Sequence, residues 1–267
     1  MISFNNIGNL GRLANQMFQY ASLKGIASNR GFDFCIPPEE VFGMNDLLVR
    51  GDKLNLYKVF PQIKNNNINI TTNQVLQERT HQFDKNLFDN CPDNIDLFGY
   101  YQTHKYFSHI EEEIRKDFIF IPEVLDTCME FFHNNFNNQK VISLHIRRGD
   151  YLHNPNHPTQ SLDYYKSALD LLPDTLPVIV FSDDSDWCSN QELFEPDRFF
   201  ISQDSSADAD LCMMSLCDYH IIANSSFSWW GAWLAKSEKI IAPKNWFGGN
   251  CIDKSVTDMA FGDWTWL

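Results

Sequence analysis

The residues best suited to chemistry lie in His145-Ile146-Arg147-Arg148-Gly149-Asp150-Tyr151, at the carboxyl end of the apolar run 140–146. Two adjacent guanidiniums stand out in a chain whose formal net charge is −14. Arg suits anion binding because its planar fork grips two oxygens of a phosphate or carboxylate at once. A fixed cation beside a departing diphosphate would take up the charge that grows on the leaving oxygen. A surface pair bridging to neighbouring acids fits the same spacing, and both readings stay open. Asp150 is a candidate base; orienting Arg147 or Arg148 by an ion pair is its other reading.

A second constellation is Asn224-Ser225-Ser226-Phe227-Ser228-Trp229-Trp230-Gly231. It lies between an apolar strand-like run and a helical one. Hydroxyl side chains at a helix start cap it, and the first-turn N–H groups form a phosphate site. Simple capping by Ser225 or Ser226 is the alternative, and the three tryptophans read as core. A third is Phe181-Ser182-Asp183-Asp184-Ser185-Asp186. Asp184 and Asp186 could hold a divalent cation under a diphosphate. Alternatively, a carboxylate at the strand end accepts hydrogen bonds from a base or ribose. With the Arg pair available for phosphate, the metal-free reading is preferred. The fourth is the Gly11–Ala21 segment. Asn15 and Gln19 share a helix face with Gln16 beside them, and amides both donate to and accept from hydroxyl groups.

The elements that must position these residues read as follows. Residues 2–7 form a first strand, Gly8 and Gly11 a turn, and Leu13, Met17, Tyr20 and Ala27 keep helical spacing. Residues 33–96 read as irregular α/β with long loops. A strand is expected at 97–101, and helices at 104–118 and 122–135. The polar stretch 134–139 marks the domain boundary, giving domains 1–138 and 139–267. Beyond it, short apolar strands at 140–146, 177–183, 199–202, 219–224 and 239–243 alternate with helices near 162–172, 208–217 and 226–236. That alternation specifies a parallel α/β sheet, in which ligands sit at the carboxyl ends of the strands.

Bulk properties narrow the classes. The chain has 267 residues, enough for two ordinary domains. The acidic balance opposes a phosphate polymer as partner and a polybasic membrane anchor. Seven cysteines, with no C-x-x-C pair, give no zinc spacing, and reduced thiols are expected. The amino-terminal residues lack the pattern of a secretory leader, and no run approaches a membrane span of about 20 apolar residues. We therefore expect a cytoplasmic protein, peripheral at most to the inner membrane face. Asn69 and Asn224 head N-glycosylation sequons, which carry meaning only on secretion.

In combination these segments resemble glycosyltransferase family 11, the α-1,2-fucosyltransferases of bacterial, soluble type. GRLANQMFQYA, LFGYYQTHKYF, HIRRGDY, DLCMMSLCDYHIIANSSFSWWGAWL and KIIAPKNWF follow in family order from residue 8 to 247. The resemblance implies an α/β, GT-B-like fold of two Rossmann-like domains facing a central cleft. The N-terminal domain would hold a galactose-terminated glycan acceptor through Gly11, Asn15, Gln16 and Gln19. The C-terminal domain would hold GDP-fucose through His145, Arg147, Arg148, Asp183, Asp184, Asn224, Ser225, Ser226, Phe227 and Ser228. The implied enzyme is an inverting galactoside α-1,2-fucosyltransferase that needs no metal or other cofactor. Arg147 and Asp150 are its candidate catalytic residues, and Arg148 orients the loop. A transferase using another GDP-sugar or acceptor, and a sugar-nucleotide-binding protein without turnover, are the alternatives. Ala14 departs from the family's Gly; a methyl there would restrict a φ > 0 conformation or push the backbone off a ligand. Thr103 stands where the family has Ser.

Overall fold

The computed structural model describes residues 1–39, 56–63, 72, 74–251 and 255–267. The Asn69 sequon and much of the 33–96 segment lie outside them. The chain divides into two compact units, Met1–Ile121 with Ser255–Ala260 and Pro122–Lys254 with Phe261–Leu267. The division falls before the helix at 122, not after it as the polar run at 134–139 suggested. The helix goes with the second unit because its apolar side packs there: Phe136 meets Phe200 edge-on at 5.0 Å. Cys128 Sγ lies 3.6 Å from the Ala209 carbonyl. The later segment 255–260 belongs to the first unit, where Asp258 accepts the Phe83 N–H at 2.8 Å and pairs with Lys105.

In the first unit the described elements are β1 (Ile2–Ser3), α1 (Leu13–Arg30), β2 (Phe34–Cys35), α2 (Leu56–Val59), β3 (Val75–Gln77), α3 (Lys85–Asn90), β4 (Ile95–Phe98) and α4 (Glu111–Asp117). The strands form a parallel sheet in the order β2-β1-β4-β3. β1 is shorter than the expected 2–7. Asp96 draws the chain out of the sheet by accepting both the Ser3 hydroxyl at 3.0 Å and the Asn5 N–H at 2.7 Å. α1 stops where Gly31 takes a left-handed φ of 66°, the usual device for ending a helix. The helix expected over 104–118 is instead two 3-10 turns, His104–Tyr106 and Ser108–Ile110, leading into α4. The first turn lies so close to α1 that a Cβ on Gly25 would sit 2.0 Å from the Tyr106 carbonyl oxygen.

In the second unit the elements are α5 (Pro122–Phe136), β5 (Ile142–Ile146), α6 (Leu162–Leu169), β6 (Val178–Ser182), α7 (Ser185–Ser189), β7 (Phe199–Ile201), α8 (Ala207–Ser215), β8 (Tyr219–Ile221), α9 (Ser226–Ala235), β9 (Lys239–Ala242) and β10 (Trp264–Trp266). They build a parallel sheet ordered β10-β9-β8-β5-β6-β7. The five apolar runs expected as strands are all there, and β10 adds a sixth that sequence reading left out. β5 is buried along its whole length, as a strand covered on both faces must be. Trp229, Trp230 and Trp233 are core residues, each at most 2% exposed. The succession β5-β6-β7 winds to one side and β8-β9-β10 to the other, the doubly wound arrangement of dinucleotide-binding folds. The winding reverses between β5 and β8, and ligands bind at such a crevice. The unit therefore has a site defined by topology before any side chain is considered.

Candidate functional site

The loops that leave β5 and β8 carry the two strongest sequence constellations, and the structure joins them. His145, on β5, places Nδ1 2.9 Å from the hydroxyl of Ser228, in the first turn of α9. The Tyr151 hydroxyl donates to the Asn224 carbonyl at 3.2 Å. Ser225 caps α9 by accepting the Phe227 N–H at 3.3 Å. Asn224 ties the crevice down by donating from its amide to the carbonyls of Pro158 and Trp246, both at 3.0 Å. Its own Oδ1 is buried without a hydrogen-bond partner. At 2% exposed, Asn224 offers no surface for glycosylation, whatever its sequon.

The third constellation closes the corner from β6. Asp183 accepts the Arg148 N–H at 2.8 Å and pairs with an Arg147 terminal nitrogen at 2.8 Å. Asp150 holds the other terminal nitrogen of Arg147. The Arg147 guanidinium also lies 5.2 Å from the Tyr151 ring centre. Arg148 turns the other way: its Nε donates to Asp184 at 2.9 Å, and its guanidinium lies 3.8 Å over the Trp187 ring. Asp184 also caps α7 through the Trp187 N–H. Arg148 is thus engaged within the protein, whereas Arg147 is steered at the switch point by two carboxylates. A Cβ on Gly149 would come 2.3 Å from Asp183 Oδ2, so a larger residue there would push that carboxylate off its two arginine partners. All ten residues expected on the donor side lie on the segments at the carboxyl ends of β5, β6 and β8. Both carboxylates of the Asp183-Asp184 pair are taken up by N–H and guanidinium groups. Among the described residues no three His, Cys, Asp or Glu side chains form a metal-type cluster.

His145 is buried, and burial, followed by the Arg147 charge, pushes its pKa down to about 3. His220 lies fully buried between Met214 and Ser237, and burial pushes it down to about 4. Both imidazoles are neutral in the folded protein. The unfolded chain binds protons on them near the ordinary value of 6.5, so it holds more protons than the folded state between that value and the depressed ones. Stability therefore rises with pH through this window. We expect the thermal midpoint to be level above about pH 7 and to fall steadily below about pH 6.5. Melting curves from pH 8 to pH 5 check this, and His220→Gln should flatten part of the slope. A midpoint independent of pH across that range would contradict the assignment of neutral histidines.

The first unit has a switch point of its own, between β1 and β4, and the residues expected on the acceptor side lie there. Gln19, fully buried, donates to the carbonyls of Leu10 at 3.2 Å and Gly99 at 3.0 Å, tying the loop after β1 to the loop after β4. Asn15 accepts from Gln102 at 2.7 Å. Gly11, with φ 84°, leaves no room for a side chain: a Cβ would lie 1.9 Å from the Asn15 amide nitrogen. Gln16 is 5% exposed, and its Oε1 has no hydrogen-bond partner. Ala14 lies in the first turn of α1 and is absent from the positive-φ residues, so the φ > 0 restriction expected there does not arise. Gln102, which joins this cluster through Asn15, was not singled out from sequence, although its segment was recognised. The signal was the amide directly after two aromatic residues at a strand end.

Comparison with known proteins follows the same lines. The chain resembles the crystal structure of fucosyltransferase NodZ from Bradyrhizobium, with a TM-score of 0.60 at 14% identity over 93% of this chain and 96% of that one. The fold is that of the GT-B fucosyltransferases, α/β with two parallel sheets. Across residues 1–267 the chain matches the family model described as Glycosyl transferase family 11, and it belongs to that family. Among its relatives is an alpha-1,2-colitosyltransferase of Escherichia coli, 30% identical, the match spanning 89% of this chain and 90% of that protein. Another is the galactoside alpha-(1,2)-fucosyltransferase 2 of Sus scrofa, 25% identical over 88% of this chain and 70% of that protein. The chain is thus a glycosyltransferase of fucosyltransferase type. Among the described residues no helix is long and apolar enough to cross a membrane.

Proposed function

We propose that the protein transfers L-fucose from GDP-fucose to the 2-hydroxyl of a terminal galactose, with inversion and without a metal ion. The observation that carries this is the second unit's switch point, where Arg147 and the first turn of α9 converge on one corner. A sugar hydroxyl attacks the anomeric carbon from the face opposite GDP. The bond to the diphosphate oxygen breaks, negative charge passes to that oxygen, and the attacking hydroxyl gives up its proton to water as the new glycosidic bond forms. Arg147 and the positive end of the α9 dipole neutralise it in place. His145, neutral and bonded to Ser228, holds strand and helix together beneath the diphosphate and adds no charge. Asp150 acts as the partner that orients Arg147. The first unit receives the acceptor, whose hydroxyls meet the amides of Asn15, Gln16 and Gln102. The α-1,2 linkage in the names of both relatives supports the regiochemistry.

Engagement of Asp183 and Asp184 by arginines and N–H groups supports the metal-free reading, since a cation there would have to displace them. Incubation with GDP-fucose and N-acetyllactosamine in EDTA, with the product linkage read by NMR, tests reaction and metal requirement together. A new α-1,2-fucosyl signal at undiminished rate is expected. Activity that EDTA abolishes and Mn²⁺ restores would overturn the metal-free claim. A second reading has its own support: the alpha-1,2-colitosyltransferase relative points to colitose as the transferred sugar. Competition between GDP-fucose and GDP-colitose separates the two.

A further inference from the structure

Glu78 follows β3 directly, and its two oxygens accept the N–H groups of Tyr100 at 2.7 Å and Tyr101 at 3.0 Å. Its own N–H donates to the Phe98 carbonyl at 2.8 Å, so backbone and side chain together hold the end of β4. The loop closes on it tightly: a Cβ on Gly99 would lie 2.4 Å from Glu78 Cβ and 2.7 Å from its Oε2. The loop is also strained. Tyr101 has a φ of 52°, a left-handed conformation that is a genuine outlier for a bulky residue and persists only where the surroundings impose it.

Those surroundings are specific. The Tyr101 side chain is fully buried, and its carbonyl accepts the Ser22 hydroxyl at 3.1 Å and the Thr103 N–H at 2.8 Å. The next residue is Gln102, whose amide reaches Asn15. A backbone turn forced through Tyr101 therefore decides where the Gln102 side chain points. Resting on the reading that the first unit receives the acceptor, we propose that Glu78 is a positioning residue for the acceptor site, holding the strained Tyr100-Tyr101 turn so that Gln102 meets Asn15. Glu78 does not touch the sugar in this account; it acts through the loop. The two units share the device: in the second, Asp183 accepts the Arg148 N–H at the end of the neighbouring strand. Here the carboxylate orients an amide for neutral hydroxyls; there it orients a guanidinium.

The test uses the full-length protein and the variants Glu78→Ala, Glu78→Gln and Gln102→Ala. In Glu78→Ala the acceptor KM should rise by about tenfold relative to any change in the GDP-fucose KM, the scale of one charge-assisted hydrogen bond. Gln102→Ala should show the same split. Glu78→Gln, which keeps one carbonyl acceptor, should fall between native and Glu78→Ala. In native protein the Tyr100 and Tyr101 amides should exchange slowly with deuterium, and about tenfold faster in Glu78→Ala. Equal rises in both KM values, or an acceptor KM and amide exchange unchanged from native, would overturn the proposal. If native protein uses no galactoside acceptor, the function reading fails, and amide exchange alone decides the role of Glu78. Faster exchange at these two amides then supports loop positioning, and unchanged exchange refutes it.

Discussion

Replacing Arg147 by alanine should lower the transfer rate by about 10²–10³-fold, the range for removing one group that stabilises developing charge. The geometry explains why the effect should fall mainly on kcat. The Arg147 guanidinium is held at one terminal nitrogen by Asp183, 2.8 Å away, and at the other by Asp150. A cation fixed before the reaction needs no reorganisation when the diphosphate oxygen takes up charge. Asp150→Ala supplies the comparison. Its side chain is 59% exposed, and an exposed ion pair contributes only about 0.2–1 kcal/mol. Loss of Asp150 should therefore cost no more than about fivefold. Steady-state kinetics on the two variants separate a charge-stabilising residue from its orienting partner. Near-normal turnover in Arg147→Ala would remove Arg147 from the mechanism. A collapse in Asp150→Ala as deep as that expected for Arg147→Ala would make Asp150 a base.

Asp183→Ala should cost transfer about 10–100-fold, the scale of losing a hydrogen bond to a charged group together with its ion pair. Two supports fail at once in this variant. The Arg148 N–H loses its acceptor, so the loop after β5 is no longer fixed, and Arg147 loses its less exposed carboxylate. Asp183→Asn keeps an oxygen for the N–H while removing the charge, so it should recover thermal stability more fully than turnover. Calorimetry and kinetics on the pair check the division. Equal recovery of both would mean that the carboxylate serves only the backbone. Asp183 sits at the strand end where a base or ribose contact was one sequence reading. In the structure it faces the Arg147-Arg148 turn, which is why the expected defect is in catalysis more than in nucleotide affinity.

The second unit was legible because its signals are local. Each strand is an apolar run buried on both faces, and the motifs abut the strand ends, so alternation alone locates the site. Phe136 shows where that reading stopped. The polar residues around it looked like a linker, yet its ring packs against Phe200, and only tertiary packing assigns the helix to its unit. β10 was missed because Trp264–Trp266 is short and only half-buried. In the first unit the strands of the described residues are two to four residues long, below the length at which period-two alternation can be read. Its site is held by contacts of long range, such as Gln19 with the Gly99 carbonyl and Glu78 with the Tyr100 N–H. No spacing rule ties Glu78 to the loop it holds. Gly11 and Gly149 were visible as letters, but the need for each came from one neighbouring side chain, Asn15 or Asp183.

The most direct test of the central claim is a continuous assay of GDP release from GDP-fucose, with and without lactose, in the presence of EDTA. The account predicts release that depends on lactose, saturates in both substrates and falls by about 10²–10³-fold in Arg147→Ala. Absence of both release and saturable binding for GDP-fucose, in protein shown to be folded, would contradict it.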